Sequence, residues 1–183
     1  GVVSHIEYFV NKYGVEHLLI EDDALTFRPA RTKEICEGII KKGIDITWET
    51  PNGVRADTLD VELLTSMKNS GCISLTIGTE SGDQDTLDNI VRKDLKLETV
   101  IQVAKWCKEL KIRLYSFFII GFPGETKEKM KKTIDFACML YEKYDVYPSL
   151  NIATPLVGTA MYDTVMEGNL LASELTPHNL SVA

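Results

Sequence analysis

Paired cysteines are the first thing this chain lacks. Its four cysteines, Cys36, Cys72, Cys107 and Cys138, are widely separated and form no C-x-x-C pair. Apolar spacing puts Cys36, Cys107 and Cys138 on the inward stripes of predicted helices, so they read as inert core thiols and not as metal ligands. The three histidines, His5, His17 and His178, make no metal-binding spacing either. These residues alone predict no metal site. Positive charge is also scarce: a formal net charge of -7 and a pI near 5.0 offer no general attraction to phosphate backbones or anionic lipid, which argues against direct nucleic-acid binding. No apolar run approaches the length needed to cross a bilayer and no charged-then-apolar leader is present, so a soluble, cytoplasmic domain is expected. Neither G-x-G-x-x-G nor G-x-x-x-x-G-K-[ST] follows an apolar run, which removes the usual phosphate cradles. No lysine stands at a predicted strand end to form a Schiff base, and no serine or cysteine nucleophile has a histidine near it in the pattern.

What the chain does have is a repeat of short apolar runs, each ending in a polar or glycine-rich loop. At 183 residues, 44% hydrophobic and 26% charged, it fits one domain over residues 1–183 with a sizeable core. Phe117-Phe118-Ile119-Ile120 stops abruptly at Gly121-Phe122-Pro123-Gly124-Glu125-Thr126. Four large apolar residues without polar alternation suit a strand covered on both faces, and Thr126 suits the cap of a helix with its stripe at Met130, Ile134, Ala137, Cys138 and Tyr141. Before this unit, the pattern predicts a helix over 3–13 ending at Gly14 and strands over 17–20, 44–48 and 73–77. Helices are expected over about 30–42 and from Asp60 to Gly71, with a stripe at Val100, Val103, Ala104 and Cys107. Ser81 and Gln84 have capping-box spacing for a short helix through Ile90. A fifth strand over 146–153 and a short helix over 161–167 follow. Connections of this length are the signature of a parallel sheet with right-handed crossovers. A doubly wound sheet and a curved β/α barrel both fit, and the missing phosphate cradles favour an open, barrel-like arc.

Polar residues gather at the carboxyl ends of these strands, where parallel sheets place their ligands: Glu21, Asp22 and Asp23; Arg55 and Asp57; Glu80 and Ser81; Glu125; Asn151 and Thr154. Taken singly, each has an ordinary explanation as a turn, a cap or a solvated loop charge. As a set of carboxylates, arginines, hydroxyls and apolar strand-end residues, they could hold a polar zwitterionic ligand.

In order, Asp22-Asp23-Ala24-Leu25-Thr26-Phe27, Pro51 to Asp57, Gly78-Thr79-Glu80-Ser81-Gly82, Phe117 to Thr126 and Thr154 to Tyr162 resemble the radical S-adenosylmethionine enzymes. The wording is most similar to the branch associated with cobalamin-binding domains, which includes anaerobic magnesium-protoporphyrin ester cyclase-like proteins and radical methyltransferases. The resemblance implies an α/β fold, an open partial (β/α)6 TIM-type parallel barrel truncated here by its first strand. It implies reductive cleavage of S-adenosylmethionine by a 4Fe-4S cluster to give a 5′-deoxyadenosyl radical, for cyclase or methyl-transfer chemistry on a small molecule. It also implies an electron donor such as flavodoxin or ferredoxin, and cobalamin in the parent protein. The family holds its cluster with C-x-x-x-C-x-x-C after the first strand. That motif is absent here, so the chain is expected to be a fragment beginning after that loop, inactive alone and prone to self-association through an exposed edge strand. By position, Asp23 with Asp22 matches the acid that takes the methionine ammonium, and Glu80 with Ser81 matches the ribose motif. Arg92 matches a base facing the cofactor carboxylate, Ile119 with Gly121 matches the adenine strand, and Arg55 joins the same strand-end set. Thr79, Asp94 and Val157 depart from the family pattern, where an aliphatic residue, glycine and proline are common. Two alternatives remain open: a magnesium-dependent lyase or transferase barrel using Glu21, Asp22 and Asp23, and a non-catalytic barrel binding a nucleoside or a protein partner.

Overall fold

The computed structural model describes residues 1–22, 24–168 and 170. Its elements alternate along the chain: α1 (Val2–Tyr13), β1 (His17–Leu19), α2 (Pro29–Lys41), β2 (Thr47–Val54), α3 (Val61–Asn69), β3 (Cys72–Glu80), α4 (Leu97–Glu109), β4 (Arg113–Ile120), α5 (Lys127–Tyr144), β5 (Tyr147–Ile152) and α6 (Ala160–Glu167). The strands form one open sheet in the order β1-β2-β3-β4-β5, every neighbouring pair parallel. Sequential order with crossovers of one hand puts the intervening helices on one side of the sheet. There α2 packs on α3, α3 on α4 and α4 on α5. No helix among the described residues is long and apolar enough to cross a membrane.

The core is the seam between these helices and the strand residues that point at them. Trp48, Leu75, Ile77, Leu114 and Phe118 meet Ile39, Leu64, Met67, Val103 and Leu140, all buried, each such side chain worth about 1.5–3 kcal/mol out of water. Trp48 keeps its polar edge satisfied there, its Nε1–H donating to the Ser70 carbonyl at 3.0 Å. Local signals set the helix ends: Asp60 accepts the Leu63 amide at 2.7 Å, Thr126 accepts that of Lys129, and Gly14 closes α1 in the left-handed region at φ 65°.

Four details differ from the sequence expectation. β2 extends through Pro51, Asn52 and Gly53, which the pattern assigns to a loop. Thr50 pairs with Leu75 and Val54 with Ile77, so the extra residues bulge out with Gly53 at φ 93°, a conformation that suits glycine. β4 is covered on one face and not two. Ser116 and Phe118 are fully buried against the helices while Tyr115 and Phe117 lie on the uncovered face, because all the crossovers pass on one side. On α5 the buried stripe is Thr133, Ala137 and Leu140, and Ile134, Cys138 and Tyr141, one residue further round, are exposed. Finally, the capping attributed to Ser81 belongs to Asp83, whose Oδ1 accepts the Thr86 amide at 2.9 Å, and Gln84 serves the next helix by accepting the Leu97 amide at 3.1 Å.

Candidate functional site

The ends of β3 and β4 carry closely constrained polar groups. At the end of β3 the register with β4 shifts between Gly78 and Glu80, and Glu80 takes a left-handed backbone, φ 67°, costly for a residue with a side chain. Its carboxylate folds back over Gly78: a β-carbon built on Gly78 would sit 2.6 Å from Glu80 Oε1 and 3.1 Å from Lys93 Nζ. The Lys93 ammonium donates to the Gly78 carbonyl at 2.6 Å and to Glu80 Oε1 at 3.0 Å. The ion pair thus lies in the space a side chain at Gly78 would enter, and any larger residue there would have to displace it.

Ser81, next in the chain, turns the other way. It is fully buried, its hydroxyl paired with Thr133 Oγ1 at 3.0 Å and accepting the Asp83 amide at 3.1 Å. Thr133 Oγ1 also accepts the Gly82 amide at 3.1 Å, so this segment is sewn to α5. Of the Glu80-Ser81 pair, Glu80 alone presents a polar group at the strand end. Thr79 is buried as well, and its hydroxyl is satisfied by Ser116 on the neighbouring strand at 2.7 Å, which explains how a polar residue fits an aliphatic position.

After β4, Gly121 has φ 83° and its amide donates to Glu125 Oε2 at 2.7 Å, joined by the Phe122 amide at 3.2 Å. Glu125 thus fixes the Gly-Phe-Pro-Gly loop from inside, and its Oε1 is buried without a partner among the described residues. Ile119 precedes this loop, half-buried, its backbone paired with Asn151 of β5. Across the loop a groove of about 490 Å³ is lined by Val91, Arg92, Phe122, Pro123, Met161 and Thr164, among others. Arg92 is exposed and left-handed at φ 57°; its backbone N–H donates to the Leu87 carbonyl, and its guanidinium makes no hydrogen bond or ion pair among the described residues.

The remaining candidates are tied down locally. Asp22 accepts the Ala24 amide at 2.9 Å and faces Arg31 at 3.4 Å, the geometry of a turn. Arg55 forms a two-pronged pair with Asp57 at 3.0 and 2.7 Å, which raises the guanidinium pKa and lowers that of the carboxyl. Asp23 lies outside the described residues. Sequence reasoning missed Lys93, the inner contact of Glu80. Its signal was a second base beside Arg92, which pattern alone does not rank.

No group of three His, Cys, Asp or Glu among the described residues stands close enough to hold a metal ion. Cys36, Cys72 and Cys107 are buried and Cys138 is exposed on α5. Burial raises the pKa of all three buried thiols, that of Cys107 to about 12. The residues described here therefore do not fit an iron–sulfur cluster.

Comparison with known proteins adds the context. Residues 2–137 match the Radical SAM superfamily. The uncharacterized methyltransferase PH0819 of Pyrococcus horikoshii is 30% identical over 171 residues, covering 93% of this chain and 36% of that protein. The anaerobic magnesium-protoporphyrin IX monomethyl ester cyclase of Cereibacter sphaeroides is 29% identical over 138 residues, 74% of this chain and 22% of that protein. Among solved structures, the radical S-adenosylmethionine methyltransferase TsrM from Kitasatospora setae, with cobalamin and a 4Fe-4S cluster bound, aligns with a TM-score of 0.77 at 17% identity over 96% of this chain and 34% of that one. At that identity the likeness shows the fold, an open α/β arrangement of the TIM-barrel kind. The chain spans 36% and 22% of the length of these two curated relatives.

Proposed function

Because the chain belongs to the radical SAM superfamily, we propose that it is the cofactor-holding core of an enzyme that cleaves S-adenosylmethionine reductively and uses the resulting radical for methyl transfer or ring closure on a small molecule. When bound, S-adenosylmethionine supplies the 5′-deoxyadenosyl group, a 4Fe-4S cluster the electron that releases it, and cobalamin a methyl carrier. The cysteines described here do not fit the cluster, so its ligands are assigned to another part of a longer protein. The coverage of the relatives supports that assignment.

The residues at the strand ends fit the nucleoside cofactor. Glu80 would accept from the ribose hydroxyls, since its Oε2 has no protein partner among the described residues while Oε1 is held by Lys93. Ile119 and the backbone at Gly121 would lie against adenine, Arg92 would face the methionine carboxylate, and Asp23 would take the ammonium. Ser81 is left out of the contact set, its hydroxyl being buried and paired. Asp22 and Arg55 are left to hold their loops.

The observation that carries this reading is the Glu80 carboxylate, held in a left-handed backbone above Gly78 at the end of a central strand. Titration calorimetry with S-adenosylmethionine tests it. Glu80→Gln, which keeps the side-chain length and an oxygen for Lys93, is expected to weaken binding about tenfold or more in a protein that stays folded, and an unchanged affinity removes the assignment.

The electron would come from a flavodoxin- or ferredoxin-like donor, placing the enzyme in the cytoplasm. We further propose that the isolated chain self-associates through the edge at β1, where Leu19 is 55% exposed and, among the described residues, the strand is paired only with β2. Sedimentation showing a monomer at every concentration would remove that proposal.

A further inference from the structure

Two adjacent bases, Arg92 and Lys93, leave the same turn in different directions. Arg92 enters the groove beside Phe122 and Pro123, while Lys93 reaches back to the end of β3. The root of Lys93 is fixed: its amide donates to the Leu87 carbonyl at 2.9 Å and its carbonyl accepts the Leu95 amide at 2.8 Å. Its ammonium spans the Gly78 carbonyl and Glu80 Oε1, two groups on either side of the register shift. Regular pairing would set Glu80 opposite Ile119, yet it stands opposite Phe118. The shift and the left-handed backbone at Glu80 both cost free energy, and the lysine supplies the charge-assisted contacts that offset it. The pair is three-quarters buried, Lys93 25% and Glu80 23% exposed, so solvent screens it only in part.

We propose that Lys93 is a positioning residue. It holds Glu80 Oε1 so that Oε2 is presented to the ribose of the bound nucleoside, and it does so without touching the ligand. This rests on the reading of Glu80 as the ribose acceptor. A substitution at Lys93 therefore acts through Glu80, and its effect vanishes for a ligand with no ribose hydroxyls.

The test measures two quantities in wild type, Lys93→Met and Lys93→Arg. One is the affinity ratio between S-adenosylhomocysteine and its 2′,3′-dideoxy analogue. The other, read without ligand, is amide hydrogen exchange at Glu80 and Ser81. Wild type is expected to favour the hydroxylated ligand about tenfold or more. In Lys93→Met that preference falls to near unity and exchange at Glu80 and Ser81 quickens, while the amides of α4 keep their rates. Lys93→Arg, which keeps the charge and the donors, restores both in large part. Wild-type exchange and preference in Lys93→Met overturn the proposal. So does a lost preference with unchanged exchange, because the lysine would then contact the ligand directly. Quickened exchange in a protein whose wild type shows no preference leaves the tie to Glu80 standing and removes the ribose reading instead.

Discussion

Asp83 and Lys132 stand 2.7 Å apart across the seam between the β3 end and α5, the carboxylate side chain only 4% exposed and the ammonium 63% exposed. Burial alone would raise the Asp83 pKa. The bonds from Lys132 and from the amide and hydroxyl of Thr86 outweigh it and hold the pKa below the ordinary carboxylate value. A depressed folded pKa means the stability from Asp83 is fully present above the unfolded pKa of about 3.9 and is lost as pH falls through the folded value. Lys132→Met is expected to cost about 1 kcal/mol near neutral pH, a modest figure because the lysine is solvated. Urea melts at neutral pH and below about pH 3.9 should show the gap to wild type narrowing in acid. A constant gap would assign the loss to packing of the lysine stem.

Gly82 allows the same seam to close. A β-carbon there would lie 2.5 Å from Phe136 Cβ and 2.8 Å from Thr133 Cα, and backbone cannot yield as a flexible side chain can. Gly82→Ala should therefore destabilise by about 1–3 kcal/mol through overpacking. It should also loosen the Ser81–Thr133 contact, visible as faster exchange of the backbone amide at position 82 that Thr133 accepts. Wild-type stability would mean that β3 and α5 approach less closely than described.

Thiol chemistry separates the cysteines. Cys138 is exposed while Cys36, Cys72 and Cys107 are buried with raised pKa values, so at mildly alkaline pH a thiol reagent should label Cys138 rapidly and the others only on unfolding. Cys138→Ala should abolish the fast phase. Anaerobic iron and sulfide treatment of this chain should leave it colourless, since no three thiols converge among the described residues. A stable visible cluster absorbance would contradict the placement of all four.

Much of this was legible in sequence because the periodicities were clean. Val100, Val103, Ala104 and Cys107 are all buried on α4, and the βα order follows the apolar runs. The choice of stripe on α5 was not legible: Thr133-Ala137-Leu140 and Ile134-Cys138-Tyr141 share one spacing and differ by a single step round the helix. What selects the first is tertiary, the Thr133 hydroxyl serving Ser81 and Gly82 some fifty residues away. The site divides the same way. Glu80 and Gly121 were readable as strand-end groups, but that Ser81 turns inward and Lys93 reaches Glu80 depends on a register shift that no local pattern announces.

Neighbouring aspartates supply the last contrast. The Asp22 carboxylate is already spent on the Ala24 amide and Arg31, so Asp22→Ala should lower stability by about 0.5–1.5 kcal/mol and leave S-adenosylmethionine affinity within a factor of two or so. In the function proposed above, Asp23 takes the methionine ammonium. Losing a charged hydrogen-bond partner costs about 1.5–3 kcal/mol, so Asp23→Ala should weaken binding roughly ten- to a hundredfold with the melting temperature held. Calorimetric titration and thermal melts of the two variants, in the cluster-loaded protein that contains this chain, decide between them. If Asp23→Ala lowers the melting temperature with affinity unchanged, Asp23 is a turn residue and the ammonium finds its acceptor elsewhere. If Asp22→Ala is the variant that loses affinity, the Asp22–Arg31 contact must open on binding, and the loop after β1 would rearrange around the cofactor.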